Sequence, residues 1–348
     1  MPKKQTYAAS GVNLKQGAQA ARIASAAAQS TFTTGSQFGR PVKLPNGFAG
    51  ALDCGDFLLV MCTDGTGTKM AVAEATQNFA TLGKDLLAMV IDDAVCLGAE
   101  SFALTNTLDA PQMRPELVQQ LLASLARACK AQRVAIVGGE LAEVGATVNS
   151  LVWNATLVGR VAKEKLIDGS KIRPGDVILA LREAGLRSNG FSLARKILAD
   201  KYGPNWFQQE FRGKTWGTLL LTPAQIFSKG VLALHGRFGA ESKVEVHGVA
   251  HITGGGLVEN LRRIFPRRSK LGARFFNLWQ PPTFVEELKR LGFVSQREAR
   301  RVWCLGNGML VVLPAGEAEQ AIKILRRHKI AARVAGEITA RTGVVFAA

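Results

Sequence analysis

Phe57-Leu58-Leu59-Val60-Met61-Cys62 is an apolar run that breaks into a polar, glycine-rich turn, Thr63-Asp64-Gly65-Thr66-Gly67-Thr68-Lys69. Such a short run ended by a turn reads as a buried strand. The same scheme repeats outward from it. Lys84–Leu97 has helical spacing, with Leu86, Met89, Val90 and Leu97 on one apolar face. Pro115 suits the first turn of a helix running through Cys129, where its missing N–H is not needed. Val134–Val137 reads as a buried strand ending at Gly138-Gly139-Glu140. Upstream, residues 1–45 are rich in Ala, Ser, Thr and Gln and suggest a loosely anchored arm with a helix over Gln16–Ala28.

A second unit opens at Lys171-Ile172-Arg173-Pro174-Gly175-Asp176, a turn leading into a strand at Val177–Leu181. Ser188-Asn189-Gly190 then precedes a helix through Leu198, and His251-Ile252-Thr253-Gly254-Gly255-Gly256 leads into a helix over Leu257–Ile264. Gly308–Leu313 is another strand, followed by a helix over Glu317–His328. Strands and helices interleave in both halves, which predicts two α/β (or α+β) domains, 46–170 and 171–348, behind the arm.

Composition agrees with a folded chain. Of 348 residues, 47% are hydrophobic, enough for a sizeable core. No apolar stretch approaches the roughly 20 residues that span a bilayer. Met1-Pro2-Lys3-Lys4-Gln5 leads into no apolar signal core, so a cytoplasmic protein without membrane attachment is expected. The five cysteines stand singly and read as buried free thiols. Charge is the unusual feature, at +17 overall. Up to Pro174 there are 17 basic and 14 acidic residues; beyond it, 27 and 13. A field of that sign attracts anions. Clusters such as Arg262-Arg263 and Arg326-Arg327-His328-Lys329 have few interleaved aromatics, so the ordinary reading is a solvated basic face, with a nucleic-acid site as the alternative.

Several residues suggest chemistry. Glycines in the 63–69 turn let backbone N–H groups approach phosphate oxygens. Asp64 is a candidate for Mg²⁺, and Lys69 for neutralising a polyphosphate. The spacing matches neither GxxxxGK[ST] nor GxGxxG, so a plain strand-ending loop competes with a ligand loop. Asp92-Asp93 interrupts an otherwise apolar helix. Asp92 is expected in solvent, whereas Asp93 and Glu140 are the better metal candidates, because a buried carboxylate requires a cation. Gly254–Gly256 and Ser188-Asn189-Gly190 each precede a helix, where free N–H groups attract anions; for the second, an N-cap is the ordinary reading. His251 is either a donor or acid–base group near neutral pH, or a buried structural histidine.

Taken in order, these blocks resemble one family. They are Thr63–Lys69, Gly98-Ala99-Glu100, Gly138-Gly139-Glu140 with Ala142-Glu143, and Ile167-Asp168-Gly169-Ser170-Lys171. Ser188-Asn189-Gly190-Phe191-Ser192-Leu193, Leu221-Thr222-Pro223 and His247-Gly248-Val249-Ala250-His251-Ile252-Thr253-Gly254-Gly255-Gly256 complete the set. The chain is similar to the phosphoribosylformylglycinamidine cyclo-ligases, or aminoimidazole ribonucleotide synthetases. The resemblance implies a two-domain protomer, with 46–170 binding ATP and dimerising through N-terminal strands that form a barrel across the interface. It implies ATP- and Mg²⁺-dependent closure of an imidazole ring on a phosphorylated ribonucleotide in purine synthesis. By the same resemblance Asp64, Asp93 and Glu140 contact metal or ATP phosphates. Gly65, Thr66, Gly67, Thr68, Lys69 and Gly139 cradle the nucleotide. Lys69, Asp93 and His251 are catalytic, and Ser188, Asn189, His251, Thr253, Gly254, Gly255 and Gly256 face the ribonucleotide.

The chain departs from the family pattern at several points. Asp92-Asp93 stands where Asn-Asp is usual, Asn106 where a carboxylate is usual, and Arg187 where a histidine precedes Ser-Asn-Gly. Asn13-Leu14-Lys15 replaces an N-terminal Asp-Ile-Asp, and Leu305-Gly306-Asn307-Gly308-Met309 replaces Cys-Gly-Val-Gly-Met. Arg187 is expected to grip phosphate with its donor fork. Two other readings remain. One is a related ATP-using enzyme of the same superfamily, against which stand the missing reactive cysteine loop and glutaminase extension. The other is a non-catalytic basic descendant bound to nucleic acid or a larger assembly.

Overall fold

The computed structural model describes residues 4–33, 39–44 and 47–347; the opening Met1-Pro2-Lys3 lies outside them. The N-terminal half contains α1 (Leu14–Ser30), β1 (Arg40–Val42), β2 (Gly50–Asp53), β3 (Phe57–Gly65), α2 (Met70–Thr76) and α3 (Leu82–Val95). It continues with β4 (Glu100–Ala110), α4 (Pro115–Gln132), β5 (Ala135–Glu143) and β6 (Val152–Ala162). The other half begins with β7 (Val177–Arg182), α5 (Phe191–Tyr202), the short pair β8 (Glu210–Phe211) and β9 (Lys214–Thr215), α6 (Trp216–Leu220) and α7 (Ser228–His235). Then come β10 (Gly248–His251), α8 (Gly256–Arg263), β11 (Gly272–Phe275), α9 (Thr283–Leu291) and α10 (Gln296–Val302). β12 (Asn307–Leu313), α11 (Ala318–Arg327), β13 (Ala332–Thr339) and β14 (Gly343–Phe346) end the fold.

Two six-stranded sheets result, in the orders β1-β2-β3-β6-β4-β5 and β10-β12-β7-β13-β11-β14. Each is antiparallel except for one parallel pair, β4 with β5 and β11 with β14. The architecture is therefore mixed α/β, of the α+β kind. Along β3, Leu58, Val60 and Cys62 turn inward while Met61 and Thr63 face out, the alternation of a sheet covered on one side. The strand runs further than its apolar stretch predicts, because Thr63, Asp64 and Gly65 continue the pairing with β6.

α3 lies beneath that inner face. It packs on β3 and β6 on one side and reaches α7 and β10 of the other half. Its sequence predicts a single apolar face, yet twelve of its fourteen residues are buried. Asp92, expected in solvent, is fully buried, a correction that follows from this two-sided packing. β5 errs in the opposite direction. Its apolar start predicts a buried strand, but β5 is the outer strand of its sheet and Ala135–Leu141 are all exposed. The hydrophobic cores likewise do not follow chain order. The one beneath the first sheet also takes in Phe191, Trp216, Leu288 and Trp303 from α5, α6, α9 and the residue after α10. Among the described residues no helix is long and apolar enough to cross a membrane.

Candidate active site

The alternation along β3 points Asp64 inward, toward α3, where its Oδ1 accepts the Gly65 N–H at 2.7 Å. Asp93, two residues from the end of α3, keeps 14% of its side chain exposed. Nδ1 of His251, the last residue of β10, lies 2.7 Å from Asp93 Oδ1. Burial, and then the charge of Asp93, push the Asp64 carboxyl above the ordinary carboxylate range. Burial lifts Asp93 to about 7 despite the nearby Arg263 and Arg187 guanidiniums. Burial also lowers His251 to about 3, so its imidazole is neutral at physiological pH. Two carboxylates thus share one space, and among the described residues neither has a Lys or Arg ion-pair partner. That arrangement favours a bound cation.

Three loops close around this pair. A Cβ built on Gly67 would sit 3.4 Å from the Ser188 carbonyl oxygen, and one on Gly254 3.5 Å from Asn189 Oδ1. Thr68 Oγ1 and Ser192 Oγ are 3.2 Å apart. The 65–68 turn, the Ser188-Asn189 loop and the Gly254–Gly256 loop therefore meet. Gly190 and Gly256 are required by geometry. Both have positive φ (78° and 66°), and a Cβ would lie 2.4 Å from the Trp303 ring at the first and 1.8 Å from the Arg300 carbonyl oxygen at the second. Thr66 Oγ1 and Ser188 Oγ are buried without a partner among the described residues. Beside the loops lies a cavity of about 1030 Å³, bounded by Gly254, Gly255, Arg263 and Arg301 and by Arg22 of α1. Thr253 is half-buried at the root of this loop.

Other expected site residues lie elsewhere. Lys69 is fully buried, with Nζ 2.8 Å from Asp85 Oδ2 and donating to the Thr222 carbonyl at 2.9 Å. The turn aims it into the protein interior, where a charge must be paired. His251 is also fully buried, with both ring nitrogens engaged, one by Asp93 and one by Arg187. Arg187, expected to grip phosphate, is fully buried between Asp92 and Glu183. Along the sheet, paired positions run Asp64, Ala155, Asn106, Gly139. Glu140 on β5 is therefore three strand spacings from Gly65, about 14 Å. Among the described residues of one chain no three His, Cys, Asp or Glu side chains form a metal-holding group. Asn106, in place of the usual carboxylate, accepts the indole N–H of buried Trp153 at 3.0 Å.

Family models for the AIR synthase related protein match on both sides of the site, the N-terminal domain over residues 48–161 and the C-terminal domain over 173–347. The chain belongs to the AIR synthase family. Its curated relatives include the phosphoribosylformylglycinamidine cyclo-ligase of Thermococcus kodakarensis, 38% identical over 93% of this chain and 92% of that one. The enzyme of the same name from Carboxydothermus hydrogenoformans is 37% identical over 96% of both. Among solved structures, the HypE–HypF complex shares the fold with a TM-score of 0.62 at 20% identity, over 85% of this chain and 88% of that one. T. maritima PurL complexed with AMPPCP does so with a TM-score of 0.56 at 17% identity, over 87% of this chain and 44% of that one.

Within this AIR synthase framework, two charged residues at the site escape sequence reading. Glu183 accepts from the backbone N–H groups of Ala184, Gly185 and Gln225 and pairs with Arg187. Its one signal is the i, i+4 spacing to Arg187. Arg263 is close enough to Asp93 to oppose the rise in its pKa, yet it stands in a basic cluster that reads as a solvated face.

Proposed function

We infer that the chain is a cytoplasmic, ATP-dependent phosphoribosylformylglycinamidine cyclo-ligase. It forms aminoimidazole ribonucleotide from formylglycinamidine ribonucleotide. The observation that carries this reading is the cation-poor Asp64–Asp93 pair ringed by three loops, in a chain related over nine-tenths of its length to enzymes of that name. ATP supplies the phosphoryl group that turns the poor leaving oxygen of the formyl amide into phosphate; the neighbouring nitrogen then attacks the carbon and closes the ring.

The site's composition suits a metal-bound triphosphate. Asp64 and Asp93 would hold Mg²⁺, a hard cation that takes one or two carboxylates together with substrate phosphates. The orphan hydroxyls of Thr66 and Ser188 and the N–H groups of the 65–68 turn would take phosphate oxygens. Gly254–Gly256, with Arg263, Arg301 and Arg22 around the large cavity, would take the phosphate of the ribonucleotide. Phosphoryl transfer depends mainly on positioning and charge stabilisation, tasks that fixed loops perform well.

The unit is read as a homodimer. β5 is a long unpaired edge, and Met61, Phe102, Ile136, Val137, Leu141 and Val152 are exposed apolar residues on the same sheet. A partner covering that surface supports the interface barrel implied by the resemblance. Glu140, on the same edge, then serves a nucleotide only across the interface. Purified protein given ATP, Mg²⁺ and formylglycinamidine ribonucleotide should release ADP and form the aminoimidazole product. Absence of turnover in folded protein would overturn the reading.

A further inference from the structure

Asp92 and Arg187, 95 residues apart in sequence, meet in the interior. Arg187 Nη2 lies 2.8 Å from Asp92 Oδ2, and both side chains are fully buried. Every edge of the guanidinium is in use. Nη1 donates to Glu183 Oε2 at 3.0 Å and to the Gln225 carbonyl at 2.9 Å, and Nε donates to His251 Nε2 at 3.0 Å. The other oxygen of Asp92 accepts the Phe227 and Ser228 N–H groups at the start of α7, at 2.9 and 3.1 Å. Arg187 holds this pose in a left-handed backbone conformation, φ 57°.

The contact with His251 has a chemical consequence. Arginine Nε–H only donates, so His251 Nε2 must offer its lone pair. The ring proton is then on Nδ1, where it donates to Asp93 Oδ1 at 2.7 Å. The second oxygen of Asp93 has no hydrogen-bond partner among the described residues, and the side chain is partly exposed.

We propose that Arg187, held between Asp92 and Glu183, is a positioning residue. Acting through His251, it fixes the carboxylate of Asp93 with one oxygen free for the ligand. Arg187→His strands the buried carboxylates of Asp92 and Glu183, so adding Asp92→Asn relieves one of them and the two substitutions are coupled, whereas Asp92→Asn alone leaves Arg187 paired with Glu183. The functional half of the proposal rests on the reading of Asp93 as a ligand-facing residue; the coupling and the tautomer do not.

The test is a double-mutant cycle on the full chain with Asp92→Asn, Arg187→His and both together. Resistance to urea, kcat and KM are measured, and ¹⁵N-histidine NMR reads the protonation of each His251 nitrogen. In wild type the signal should show a proton on Nδ1 and none on Nε2. Arg187→His should lose resistance to urea and at least about tenfold in kcat, with KM for the ribonucleotide changed less than about threefold; Asp92→Asn should lose less of each, and the double variant should resist urea better than Arg187→His while its kcat stays low. Losses of urea resistance that simply add in the double variant, a kcat unchanged in Arg187→His, or a protonated Nε2 in wild type would overturn the proposal. If a single variant does not fold, the wild-type tautomer and the double variant still decide. If the protein lacks cyclo-ligase turnover altogether, the urea and NMR arms still stand or fall by themselves.

Discussion

Asp64 and Asp93 face each other without an arginine or lysine ion pair, and that shortage sets their chemistry. Asp64→Asn or Asp93→Asn should abolish turnover while leaving the folded state intact, as read by steady-state assay beside circular dichroism. Asp93 also predicts a pH effect. Its folded value, raised to about 7, exceeds the ordinary carboxylate value, so the folded state holds its proton more tightly than the unfolded chain does. The stability this contributes is full at low pH and is lost as pH rises through about 7, by at most about 1.4 kcal/mol per pH unit. Urea unfolding of wild type and Asp93→Asn should therefore diverge in the variant's favour as pH rises from about 4.5 to 7. A parallel pH dependence in the two proteins would contradict it. Lys69 predicts the opposite kind of behaviour. Lys69→Met leaves Asp85 buried without its cation and should cost about 3–5 kcal/mol of stability in the same measurement.

At the level of elements, loop positions follow from backbone constraints that single residues impose. Gly190 has positive φ and touches the Trp303 ring, so it both ends its loop and starts α5. Gly190→Ala should destabilise the fold by at least about 1 kcal/mol in urea unfolding, through strain alone and before any clash. Most elements were legible in sequence. Pro115 opens α4, the Pro174-Gly175 turn precedes β7, and the Gly254–Gly256 run leads into α8. α3 and β5 were misread for a common reason. Periodicity reports a residue's direction relative to its own element, not what packs against each side. α3 is enclosed by both halves, and among the described residues β5 has no neighbour beyond it.

On the scale of the molecule, the exposed apolar sheet and the edge of β5 predict association. Val137→Asp with Leu141→Lys, at positions 66% and 47% exposed, should turn a dimer into a monomer in sedimentation velocity with little change in secondary structure. A wild-type monomer would remove the proposed role of Glu140. The basic half is partly accounted for by packing. Arg300 stacks over Phe346 at 3.7 Å and Arg333 over Trp279 at 3.5 Å, which ties these guanidiniums to aromatic surface.

Sequence alone determined the alternation of strands and helices and the places of the three glycine-containing loops, because turns, glycines and apolar spacing act over a few residues. Tertiary structure alone decided which charges pair with each other. Lys69 and Arg187 look like candidate ligand groups along the chain and Asp92 like a solvated one, yet inside the fold Lys69 pairs with Asp85 and Asp92 with Arg187. The physical reason is that removing a charge from water is tolerable only beside its opposite, and which opposite stands there is set by how the elements pack.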